Sequence, residues 1–154
     1  MNNECVQQAR EKARVLYEGK RVPHHSCGIC IAATFGLPTR SFQALRKGGV
    51  TGEGECGAIV GGRLVLGYFL GDPDPTGPLR PELAQAMEHY RQLWRARTAP
   101  GQTSDIRCNS LVGHLADDFW GEERMGYCTH LAAEVAACVA ETLKTFGVPL
   151  WDGN

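Results

Sequence analysis

Seven of the 154 residues are cysteines, at positions 5, 27, 30, 56, 108, 128 and 138, and they carry most of the chemistry this chain could do. An odd number rules out complete intramolecular disulfide pairing. The opening residues, MNNECVQQAREKARVLYEGK, contain no apolar core of a secretion signal, so the expected compartment is the cytoplasm, where thiol buffers keep cysteines reduced. A cysteine-rich chain in that setting points to metal binding or redox chemistry. Cysteine is also a small hydrophobe, and some of the seven are expected only to fill the core.

Cys27 and Cys30 form CGIC, one helical turn apart on one face. Thiols in the first turn of a helix feel its positive end, which favours the thiolate and with it either metal ligation or disulfide exchange. GKRVPHHS makes a poor strand before them, against a thioredoxin fold, and Ile31 in place of histidine excludes the C-x-x-C-H haem motif. Cys56 lies in GEGECGAIVGG, where a glycine-rich loop enters a helix with unpaired backbone N–H groups. Gly57 and Gly61, like Ala58 and Gly62, are four apart and leave a smooth helix face. That face serves close helix packing, or clears space beside a cofactor at Cys56, or both.

Other motifs are weaker. Gly52-x-Gly54-x-x-Gly57 matches the dinucleotide fingerprint formally, but SFQALRKGG before it reads as helix and turn, and Glu53 and Glu55 would repel a pyrophosphate. No Lys-Ser/Thr follows, which excludes a P-loop. His24 and His25 precede Cys27 and could join a metal site, although such a pair usually belongs to a solvated loop. Asp117 and Asp118 read as a loop or helix end. One C-x-x-C alone leaves the usual structural-zinc pattern incomplete.

The elements that must position these residues are helical. Apolar spacing predicts helices over Glu4 to Glu18, from Cys27 to the Gly36-Leu37-Pro38 stop, and from a Ser41 cap to Gly48 and Gly49. Further helices are expected from Cys56 to about Tyr68, from Pro81 to Arg97, over Cys108 to Leu115 with Ser104 or Asp105 as cap, and from Thr129 to Phe146. No segment alternates convincingly as a strand. The expected class is all-α: one domain over residues 1–154, with several short helices and two longer amphipathic ones. On the last helix Cys128, Leu131, Val135, Cys138 and Thr142 form one inward stripe. Cys138 lies about 15 Å along the axis from Cys128, too far to share a small centre with it, and is read as core.

Sixteen basic and seventeen acidic residues leave a net charge of −1, with no electrostatic reason to expect nucleic acid or an anionic membrane as partner. The longest apolar stretch, 59–70, is too short to span a bilayer and contains Arg63.

Taken in order, Cys27, the ECGAIVGG around Cys56, Cys108 and Cys128 resemble the redox-active family named for its C…GCAxxG…C…C pattern, over roughly residues 9–143. Phe35 falls eight residues after the first cysteine, and Cys56, Gly57, Ala58 and Gly61 match the central motif. Leu66 and Gly67 follow as its LG, Leu111 and Gly113 match the tail after Cys108 approximately, and Cys128 heads an alanine-rich helix. The resemblance implies a helical domain with a cysteine-ligated redox centre. Related domains occur in split-Soret cytochromes beside haems, for which this chain has no motif. Cys30 departs from the pattern, and it either replaces Cys27 or adds a nearby thiol.

On this resemblance the expected function is a small iron–sulfur protein, [2Fe–2S] in type, for electron transfer or redox sensing. Cys27, Cys56, Cys108 and Cys128 would ligate iron, with Cys30 a further candidate, and Gly57, Ala58 and Gly61 would leave the cofactor room. Two alternatives stand beside it: a metal-free thiol–disulfide oxidoreductase with Cys27 and Cys30 as the catalytic pair, and a structural zinc module. A redox partner protein is implied but not specified. The glycine-smooth helix with Trp94, Trp120 and Trp151 gives a homodimer as a further expectation.

Overall fold

Gly19 ends the first helix in a left-handed conformation (φ 71°), after Val6, Ala9, Ala13 and Tyr17 have formed a single buried stripe along α1, Glu4–Glu18. The computed structural model describes residues 3–113, 115 and 121–151. Among these, α2 spans Cys27–Thr34, α3 Gly57–Leu70, α4 Pro81–Arg97, α5 Cys108–Val112 and α6 Glu122–Thr145, with short 3-10 helices at Arg40–Leu45 and Ala99–Gln102. The described residues contain no strand, only one isolated antiparallel bridge between Glu55 and Arg107. The all-α expectation holds.

The spine is α6. It lies along α1 and also touches α2, α3 and α4. Ala132, Ala133, Ala136, Ala137 and Ala140 are all at most 1% exposed, so small side chains let neighbouring helices approach from several sides. Burial without side-chain entropy loss suits such a position. Tyr90 and Trp94 on α4 are also buried, and the Tyr90 hydroxyl donates to the Ile59 carbonyl at 2.8 Å.

Three expectations are corrected. The last helix begins at Glu122 and not Thr129, with Gly121 as its N-cap and Glu122 and Glu123 in its first turn, where the helix dipole favours acidic groups. Cys128 therefore stands inside the helix and not at its head. The segment after Thr39 is a 3-10 helix that ends at Leu45, before the glycines. The helix at Cys108 stops at Val112, and its N-cap is Arg107 rather than Ser104 or Asp105. Asp117, Asp118 and Trp120 lie outside the described residues.

The glycine-smooth face of α3 is used internally. A Cβ at Gly61 would come within 3.2 Å of the Gly28 Cα, and one at Gly62 would strike the Tyr90 hydroxyl. Trp94 is buried, and Trp151 packs on Phe35 with ring centroids 5.7 Å apart. Gly61, Gly62 and Trp94 are thus taken up in packing within the chain, and Trp151 is partly buried.

Candidate thiol-lined redox site

The close crossing of α2 and α3 is what brings Cys27 and Cys56 together. Gly28 and Gly57 lack side chains where the backbones meet. A Cβ at Gly28 would lie 3.2 Å from the Gly57 carbonyl oxygen, and one at Gly57 would strike the Leu45 carbonyl and come within 2.5 Å of Cys27 Sγ. Cys27 opens α2 and Cys56 caps α3, so the touching helix starts place both sulfurs on one side.

Cys108 arrives through the isolated bridge. The Cys56 N–H donates to the Ile106 carbonyl at 2.8 Å, the Cys108 N–H to the Gly54 carbonyl at 2.9 Å, and the Asn109 N–H to the Gly52 carbonyl at 3.0 Å. Side chains alternate across extended backbone. Glu55 and Arg107 face outward, pairing with Arg63 and with Asp105 and Glu53, while Cys56 and Cys108 turn inward. Gly48 permits this approach: its φ is 61°, and a Cβ there would lie 2.5 Å from both the Gly54 carbonyl oxygen and the Cys108 Cβ. Cys128 completes the set from α6.

The four sulfur-bearing side chains of Cys27, Cys56, Cys108 and Cys128 line one small cavity of about 30 Å³, room for a water-sized sphere or two. Gly57 and Ala58 form part of its floor. Tyr17, Lys47, Leu111, Val112, Arg124, Tyr127 and Leu131 complete the wall. All seven cysteines are free thiols. Among the described residues, no group of three or more His, Cys, Asp or Glu side chains is gathered tightly enough to hold a metal ion.

Burial governs the electrostatics. It pushes the Cys56 thiol up to about 12, against the opposing pull of the Ile59 and Ala58 N–H groups, while a neighbouring Cys27 thiolate would raise it further. Cys128 is pushed up to about 11 by burial, opposed by a hydrogen bond from the Tyr17 hydroxyl. Cys27 is raised by burial too, with the Gly28 and Lys47 N–H groups favouring its thiolate. Cys108, the least enclosed of the four, is raised by burial and held back by Arg124, whose guanidinium donates to its sulfur at 3.9 Å. Without added positive charge the set is therefore neutral at pH 7, and a metal centre entering here would displace protons.

The remaining candidates lie elsewhere. Cys30 is fully buried and its thiol donates to the Ala13 carbonyl at 3.2 Å, outside the cavity wall. Cys138 is fully buried further along α6, and Cys5 packs against the core from α1. Gly61 packs on α2 and does not line the cavity. His24 stacks edge-on against the Tyr17 ring with its Nδ1 against the Tyr17 carbonyl, and His25 Nδ1 lies 2.7 Å from the Pro23 carbonyl oxygen. Tyr17, Lys47 and Arg124 were not singled out by sequence reasoning. Arg124 falls four residues before Cys128, a signal that only a helix starting at Glu122 reveals.

The donor set has the chemistry a thiophilic centre asks for: four soft sulfur donors from four segments, with a bare backbone at Gly57 where a Cβ would fill the space beside Cys27. Among the described residues no helix is long and apolar enough to cross a membrane. In comparison with known proteins, the family described as "Putative redox-active protein (C_GCAxxG_C_C)" matches residues 27–142. No curated protein and no solved structure matches the chain.

Proposed function

The chain belongs to the C_GCAxxG_C_C family of redox-active proteins, and on that premise we propose that it is an iron–sulfur protein, of [2Fe–2S] type, that carries electrons or reports redox state to a partner protein in the reducing cytoplasm. The observation that carries this reading is the single cavity shared by Cys27, Cys56, Cys108 and Cys128. Four thiolates on four segments suit a polynuclear centre, because each gives one soft ligand and the fold sets their separation. When bound, such a centre supplies a one-electron couple. The protein's own residues ligate, exclude water and balance charge.

The arrangement supports the alternatives less. A zinc module calls for three or four side chains converged on one ion, a group not found among the described residues, whereas a [2Fe–2S] centre asks only two sulfurs of each iron. A metal-free dithiol calls for Cys30 to meet Cys27, whereas the Cys30 thiol donates into the core at Ala13.

Purification under anaerobic conditions with iron, zinc and acid-labile sulfide analysis tests the reading. Brown protein with iron and sulfide is the expected result. Colourless protein with zinc and no sulfide would replace it with the structural module, and colourless protein without metal, even after reconstitution with iron and sulfide, would leave the dithiol.

A further inference from the structure

Arg124 stands one helical turn before Cys128 on α6, so the helix that delivers the fourth sulfur delivers a cation to the same wall. The guanidinium reaches across to a different element, donating to Cys108 Sγ at 3.9 Å. One fixed charge thus bears on two sulfurs, on α5 and α6. Arg107, which immediately precedes Cys108, makes a contrast. It points to solvent and pairs with Asp105 at 2.9 Å.

We propose that Arg124 sets the reduction potential of the centre held by the four cysteines, by placing a positive charge beside Cys108 and Cys128. The proposal rests on the iron–sulfur reading above. Adding an electron to a thiolate-ligated centre makes it more negative, and a cation nearby stabilises the reduced form more than the oxidised one. The potential therefore rises. Partial burial strengthens the effect, since charges at short range in a poorly polarisable interior interact more strongly than in water. The hydrogen bond to a ligand sulfur acts in the same direction, as outer contacts commonly do at metal sites. Arg124 is in this sense a tuning residue, which touches a ligand and not a substrate.

The test compares midpoint potentials of the full-length protein with Arg124→Gln, Arg124→Lys and Arg107→Gln, each reconstituted with iron and sulfide and titrated with dithionite as electron donor while the visible absorption is followed. Only the loaded fraction contributes to the reading. Arg124→Gln is expected to lower the potential, equivalent to a change on the order of tenfold in the ratio of oxidised to reduced centre at a fixed applied potential. Arg124→Lys should keep most of the original value, and Arg107→Gln should leave it in place because solvent screens that charge. A loaded Arg124→Gln protein with an unchanged potential would overturn the proposal and leave the iron–sulfur reading intact. An equal fall for Arg107→Gln would also overturn it, because net charge and not position would then be the cause. Should Arg124→Gln load too little to titrate, Arg124→Met, which also removes the charge, decides: a lowered potential supports the proposal and an unchanged one overturns it. An unaltered protein that takes up no iron or sulfide would remove the reading on which the proposal stands.

Discussion

At the scale of single residues, Gly57 shows how one missing side chain acts on a helix start and on a sulfur together. Its missing side chain lets α3 start against the Leu45 carbonyl, and the same gap leaves the Cys27 sulfur its place beside the cavity. Gly61, with the same spacing in the sequence, packs against Gly28. Gly57→Ala should destabilise the protein by about 1–3 kcal/mol, the usual range for overpacking, measured by urea denaturation. Iron loading should fall with it, since a Cβ would displace Cys27. A Gly57→Ala protein with unaltered midpoint and loading would show that the two helix starts have slack. The four cavity cysteines were legible through the resemblance of their order and flanking residues to the C…GCAxxG…C…C pattern, which picks them out of the seven. Tyr17 and Arg124 were not, because nothing in an inward tyrosine or a helical arginine says which sulfur it will meet.

At the scale of elements, the helices were legible wherever apolar period and stop signals agreed, as in α1 before Gly19 and α4 after Pro81. The start of α6 was hidden by Gly126. Glycine inside a helix costs about 1 kcal/mol relative to alanine, and it breaks the apolar period before the alanine run begins. Packing of Met125 and Tyr127 against the core outweighs that cost. The bridge between Glu55 and Arg107 was also invisible, because two residues joined across a long interval leave no alternation to read. It is nevertheless the element that sets Cys56 beside Cys108. The amide protons of Cys56 and Cys108, both donors across it, should exchange as slowly as those of the flanking helices. Hydrogen exchange at the rate of an open loop would mean that the bridge does not persist in solution.

At the scale of the whole molecule, a helical frame built around α6 holds several thiols out of water, and this has a consequence for stability. Cys56 and Cys128 are raised from an ordinary value of 9.0 to about 12 and about 11, mainly by burial. A group whose folded value lies above its unfolded value stabilises the fold fully below the lower of the two. That contribution is lost as the pH rises through the higher one. The metal-free, reduced protein should therefore lose stability between about pH 9 and pH 12, seen as a falling urea midpoint. A flat profile there would mean that the thiols ionise freely in the folded state. The central claim is that four particular sulfurs out of seven share one centre, and replacing each cysteine in turn by serine, with iron and sulfide counted after reconstitution, tests it most directly. Serine at 27, 56, 108 or 128 should remove most of the iron, while serine at 5, 30 or 138 should leave loading in the folded protein as it was. Full loading without Cys56 or Cys108, or loss of iron from folded protein on replacing Cys30 or Cys138, would contradict the account.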